Sequence, residues 1–135
     1  ARLCEGEIRE LLTQPEGDHL VRCEQPFVVR VAAGTELAGE EIDQETDLRG
    51  MIDRLVVSLD AGGSPHAAAV IDWKTDAVSP DDLETTVAEY APQLAAYRLA
   101  ASKLLGLEID DVTASLALLS IGKVLDVTAE ASVSR

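Results

Sequence analysis

Asp72 and Lys74 stand two residues apart in the run Val70-Ile71-Asp72-Trp73-Lys74-Thr75. In an extended chain, positions i and i+2 project from the same face, so this carboxylate and ammonium lie side by side while Trp73 points the other way into packing. A charged pair inside an otherwise apolar strand costs on the order of several kcal/mol to desolvate unless it is paired or binds a metal. An exposed strand end with a surface salt bridge is the competing reading. Asp53 interrupts a second apolar run, Met51-Ile52-Asp53-Arg54-Leu55, in the same way. If the two runs pair, their carboxylates come within reach of one or two hard cations. Mg²⁺ takes one or two protein carboxylates and fills its other positions with water and substrate phosphate. A lysine beside it can orient or deprotonate an attacking water and offset charge building on the phosphorane. The chemistry this set suits is hydrolysis of a phosphodiester. Gln93 and Tyr97, four apart, share one helical face, although a tyrosine at helical spacing is more often core than ligand.

The elements that must position these groups follow from periodicity and turn chemistry. Residues 1–13 place Leu3, Ile8, Leu11 and Leu12 at helical spacing, and Pro15-Glu16-Gly17-Asp18 ends that pattern. Leu20 to Ala32 reads as a strand, and the acidic stretch Glu36 to Asp47 as a solvated loop or irregular edge. Leu48 to Leu59 and Ala67 to Trp73 are strands joined by the turn residues Asp60-Ala61-Gly62-Gly63-Ser64-Pro65, hence a hairpin that brings Asp53 beside Asp72. Ser79-Pro80 opens a helix, with Ser79 the cap, that runs to about Leu105 with a break near Pro92 and closes at Gly106. Val112 to Leu119 and Val124 to Val127 are two further strands. Helix, three strands, helix and one or two strands give an α/β sandwich with a mixed central β-sheet flanked by helices.

At 135 residues the chain suits a single domain spanning 1–135, and 47% hydrophobic residues supply a core. Its opening, Ala1-Arg2-Leu3-Cys4-Glu5, reads as the middle of a helix, so a fragment of something longer is expected. No apolar run reaches the ~18 residues of a membrane span, and no basic-then-apolar leader opens the chain. Cys4 and Cys23 are two ordinary thiols, consistent with a cytoplasmic protein and not with a disulfide framework or a cysteine-built metal site. The net charge of −14, with three Lys and eight Arg, is unusual for a protein that meets a polyanion. Either other domains supply the basic groove, or the surface is acidified for a salt-rich cytoplasm, where the Debye length shrinks to about 3 Å at 1 M.

Gly50-Met51-Ile52-Asp53-Arg54, Ile71-Asp72-Trp73-Lys74-Thr75 and Tyr90-Ala91-Pro92-Gln93-Leu94-Ala95-Ala96-Tyr97, in that order, resemble the PD-(D/E)XK nuclease superfamily. The nearest likeness is to the RecB/AddA-type nuclease domain at the C-terminus of UvrD-like DNA helicases. Glu24-Gln25-Pro26-Phe27 is similar to the first-strand Glu-x-Pro-Phe of that group. The resemblance implies a restriction-endonuclease-like fold and a site in which Asp53 and Asp72 hold Mg²⁺ or Mn²⁺, with the Trp73 carbonyl an additional ligand. It implies that Lys74 is the catalytic lysine, that Gln93 and Tyr97 lie beside the site and the DNA strand, and that Glu24 supports them. The family's upstream histidine ligand has no counterpart, since His19 follows a turn and His66 lies in the hairpin loop. The iron–sulfur cysteines of some relatives and a Gly-x-x-x-x-Gly-Lys-Ser/Thr loop are also missing, so these residues are not an ATPase.

The function expected is a metal-dependent DNA exonuclease domain partnered with a helicase motor. A catalytically inert structural or DNA-guiding module of a helicase complex is the second reading. An acidic protein-interaction domain ranks last, because it leaves the buried-strand Asp and Lys unexplained. Fold alone does not decide among these; the site must.

Overall fold

Phe27, Val29 and Val31 are buried and alternate with exposed Pro26, Val28 and Arg30, and this period of two builds β1 (His19–Val31). The structure is a computed structural model and describes residues 19–75 and 77–134; the helix expected over residues 1–13 lies outside them. The remaining strands are β2 (Glu36–Leu37), β3 (Glu40–Glu41), β4 (Thr46–Leu59), β5 (Pro65–Lys74), β6 (Val112–Leu118), β7 (Lys123–Asp126) and β8 (Val133–Ser134). Between β5 and β6 runs the helix α1 (Leu83–Leu105).

A five-stranded sheet has the order β1-β4-β5-β6-β7, with every pair antiparallel except β5 and β6. Parallel neighbours need a crossover, and α1 supplies it. The β4–β5 hairpin closes as its turn residues predict. Asp60 Oδ1 accepts the N–H groups of Gly62 at 2.9 Å and Ser64 at 3.0 Å, and Gly63 takes the left-handed φ of 83° that side chains resist.

The core lies between α1 and the sheet. Leu94 and Leu99 of α1 meet Val57, Val70, Val112, Leu116 and Leu118 in one buried cluster. Burying each such side chain contributes about 1.5–3 kcal/mol. Ile71 and Ala117 are buried as well, on the reverse face by strand alternation, so β5 and β6 are covered on both sides. This helix-backed mixed sheet is the α/β arrangement read from the element order.

Three details differ from expectation. The segment from Glu36 to Asp47, read as a solvated loop or irregular edge, holds two short strands: β2 and β3 form a small hairpin, β2 also pairs with β8, and Leu37 is 5% exposed. Ala38 and Gly39 both have positive φ, which gives the twist a two-residue hairpin needs. Pro92 does not break α1, whose span is continuous through it. The carbonyl that loses its helical donor belongs to Ala88, an exposed residue, so water can satisfy it. Ser79 makes no cap bond to the backbone; its Oγ donates instead to Asp82 Oδ2 at 2.9 Å. Gly106 ends the helix as expected, in the left-handed region at φ 69°, with its N–H on the Ser102 carbonyl. Among the described residues no helix is long and apolar enough to cross a membrane.

Candidate active site

The β4–β5 ladder runs from Leu59 and Pro65 to Arg54 and Ile71 and goes no further, although both strands continue. Beyond it the Asp53 carboxylate takes over, accepting the Trp73 backbone N–H on Oδ2 at 3.0 Å. The Trp73 N–H is thus satisfied by a side chain rather than by the neighbouring strand. On β4 the buried positions also change parity here, falling at Ile52, Arg54, Leu55 and Val57. Glu24 of β1 stands near this break with a left-handed φ of 53°, unusual for a residue with a Cβ. Cys23, Glu24, Asp53 and Trp73 line a cleft of ≈ 360 Å³. The structure thus brings Glu24, Asp53 and Trp73 to one cleft, with Cys23 beside them.

Asp72 lies on the α1 side of β5 and is 2% exposed. Its Oδ2 is 3.0 Å from Lys74 Nζ, yet that approach does not have the direction of a hydrogen bond, and Oδ2 is left without an aligned donor. Burial pushes Asp72 up to about 7, reinforced by the hydrogen bond and charge of Asp53 and opposed by Lys74. Two carboxylates this close resist ionising together. Burial pulls Lys74 down, but the close approach and charge of Asp72 outweigh it and hold the ammonium above its usual range. The Lys74 Nζ also sits 4.1 Å from the centroid of the Tyr90 ring.

Helix α1 presents the third side. The Gln93 amide donates to the Tyr97 hydroxyl, and the Tyr97 ring meets Phe27 edge-on at 5.5 Å between centroids. Burial raises Tyr97, the Gln93 hydrogen bond pulls it back, and the charges of Asp72 and Asp53 raise it further, so its hydroxyl lies in the field of both carboxylates. Gly50 makes this seat possible: a Cβ there would come within 2.9 Å of the Phe27 ring and 3.4 Å of Tyr97. Phe27 is buried and cannot swing aside freely. Gly50→Ala is therefore expected to cost about 1–3 kcal/mol by overpacking. Urea denaturation checks this, and Phe27→Leu in the same chain should recover part of the loss.

The histidines are elsewhere. His19 pairs with Ser58, five residues along β4 from Asp53 and so roughly 17 Å away at ~3.4 Å per residue; His66 is six residues along β5 from Asp72. Sequence reasoning gave no role to Tyr90, although its spacing of three from Gln93 and seven from Tyr97 places all three on one helical stripe. An apolar groove of ≈ 370 Å³ between Leu83, Val87 and Leu125 has only the carboxylates of Glu84 and Glu130 as charged groups, which would repel phosphate.

Among the described residues no group of three or more His, Cys, Asp and Glu side chains is placed to hold a metal ion. Asp53 and Asp72 nonetheless fit a hard divalent cation, because a buried carboxylate oxygen without an aligned donor, beside a second carboxylate, offers oxygen ligands that burial makes costly to leave unpaired.

A profile of the PD-(D/E)XK nuclease superfamily matches residues 2–134, and the chain belongs to that superfamily. Its mixed sheet and helix have the corresponding restriction-endonuclease-like α/β fold. The chain is also similar to an ATP-dependent helicase/nuclease subunit of Carboxydothermus hydrogenoformans, 29% identical over 113 residues, which are 78% of this chain and 9% of that protein. The chain thus spans a small part of the length of the relative it matches, consistent with a RecB-type nuclease-like domain.

Proposed function

We propose that this chain is a Mg²⁺- or Mn²⁺-dependent DNA nuclease domain, exonucleolytic and coupled to a helicase motor in the same polypeptide or complex. The observation that carries the reading is the pair of adjoining carboxylates, Asp53 and Asp72, with a buried, donor-less Oδ2 next to the Lys74 ammonium. Asp53 and Asp72 would hold the cation, with the Trp73 carbonyl available beside them. When bound, the cation supplies Lewis acidity and offsets the charge that builds on the phosphate. Asp72 keeps Lys74 charged, which suits orienting a water and countering negative charge better than taking a proton. Gln93 and Tyr97 border the site from α1 and present an amide and a hydroxyl toward a DNA strand, and Glu24 supports the opposite wall. The helicase coupling rests on the name of the relative, and the net charge of −14 is consistent with a basic DNA path contributed by other domains.

In the full-length protein, Lys74→Ala is expected to reduce Mg²⁺-dependent cleavage of a labelled duplex by roughly 10²–10³-fold, and chelation of the metal to end it. Full cleavage in both Lys74→Ala and Asp53→Ala would sink the assignment. The lack of a third acidic or histidine ligand among the described residues favours one alternative, an inert structural or DNA-guiding module. Calorimetry with Mn²⁺ separates the two: uptake that Asp53→Ala removes supports the nuclease, and no uptake supports the module.

A further inference from the structure

Tyr90 meets both the core and Lys74. Its ring packs against the core from α1, and its face lies 4.1 Å from Lys74 Nζ, well inside the ~6 Å range of a cation–π attraction. The ammonium is thus held between a carboxyl oxygen, Asp72 Oδ2 at 3.0 Å, and an aromatic face. These two restraints respond differently to the proposed cation. A divalent ion held by Asp72 would compete with Lys74 for that carboxyl group, whereas a ring carries no net charge and its pull on the ammonium would survive. Lys74 also has somewhere else to go. Lys74, Ala77, Val78, Thr86, Glu89 and Tyr90 line a cleft of ≈ 190 Å³, and the exposed Glu89 carboxylate on that side offers a rival partner.

We infer that Tyr90 is a positioning residue, whose ring keeps the Lys74 ammonium at the Asp53–Asp72 centre and out of the cleft toward Glu89. This rests on the proposed role of Lys74. It assigns Tyr90 a part distinct from that of the Gln93–Tyr97 pair, which meets the site through an amide and a hydroxyl. On this reading the π face does the positioning, so phenylalanine should serve in its place.

The test uses the full-length protein with Tyr90→Phe and Tyr90→Leu, and with Tyr90→Met as a substitution of similar bulk and no π face should leucine disturb packing. With Mg²⁺ and a DNA duplex, Tyr90→Phe should keep kcat within about twofold. Tyr90→Leu and Tyr90→Met should lower kcat on the order of tenfold at unchanged KM, as loss of a transition-state contact requires. A second readout does not depend on cleavage. Lys74 is one of three lysines in the chain, and Lys103 and Lys123 are exposed, so amine acylation read by mass spectrometry has two internal references. Lys74 should acylate several-fold faster relative to them in the leucine and methionine variants, and at the wild-type rate in Tyr90→Phe. Unchanged acylation and kcat without the ring would overturn the inference, as would an equal loss in Tyr90→Phe. Failure of the nuclease reading looks different: Lys74→Ala and Asp53→Ala would then both cleave as the wild type does, while acylation would still report whether the ring holds the ammonium.

Discussion

Asp72→Asn is expected to lower Mg²⁺-dependent DNA cleavage by the full-length protein by about three orders of magnitude, and also to flatten the pH dependence of stability in the metal-free chain. The first effect follows from the proposed role of Asp72 as an anionic ligand, since an amide oxygen is a weak partner for a hard cation. The second follows from linkage. In the fold Asp72 is pushed up to about 7, against 3.8 for the unperturbed side chain, first by burial and then by Asp53. Between those values the folded chain holds a proton that the unfolded chain has released, so stability falls as pH rises through that window. The contribution is complete below about 3.8 and gone above about 7. Asparagine carries no titrating proton, so thermal unfolding measured from about pH 5 to 8 should show a smaller slope in the variant. The general repulsion of a chain with net charge −14 relaxes on acidification in both proteins alike, and the difference between their slopes isolates Asp72. Mg²⁺ should also stabilise the wild type more at pH 8 than at pH 6, because the ion must displace the proton. Equal slopes would show that Asp72 is not protonated in the fold; undiminished cleavage would remove it from the catalytic set.

How much of this was legible in the sequence differs from element to element. The long strands and the hairpin were legible because β1 alternates Phe27, Val29 and Val31 with polar or exposed neighbours, because the runs to Leu59 and Trp73 are rich in apolar and β-branched residues, and because Asp60 to Pro65 is dense in turn formers. That pairing is what made Asp53 and Asp72 readable as neighbours. The strands β2, β3 and β8 were not legible, since two-residue strands have no period and β2 finds β8 almost a whole chain away. Pro92 misled because the cost of an interior proline depends on whether its lost carbonyl partner is solvated, which only packing decides. Within the site, the i, i+2 spacing announced the Asp72–Lys74 pair. It could not announce the aromatic wall at Tyr90, because cation–π partners come from another element whose rotation about its axis is set by the core. The end of the β4–β5 ladder beside Asp53 was also hidden: apolar pattern specifies which face is buried and says nothing about where two strands part.

Arg98→Leu is expected to be the most damaging single change to the fold, a loss of about 3–5 kcal/mol in urea denaturation. Arg98 is 5% exposed, and its guanidinium is spent on backbone carbonyls. Nε donates to Val112 at 2.7 Å, one terminal nitrogen to Ala131 at 2.8 Å and Thr128 at 3.3 Å, and the other to Ile109 at 2.9 Å. Burial pulls the guanidinium pKa below its usual range while Asp110 and Asp126 oppose that pull, and the group still stays charged at neutral pH. One side chain on α1 thereby satisfies the turn before β6, the first residue of β6 and the segment after β7. Leucine would fill much of the space and leave those carbonyls without donors in a poorly solvated place, where each costs about 1–3 kcal/mol. Against a total stability of about 5–15 kcal/mol, the variant would be marginal. Arg98→Lys should fall between, since a point donor cannot span the fork. The consequence reaches the site, because α1 also carries Tyr90, Gln93 and Tyr97, and the latch holds that helix at the residue next to Tyr97. A loss under about 1 kcal/mol in Arg98→Leu would mean the carbonyls find other donors and that packing alone holds α1 to the sheet.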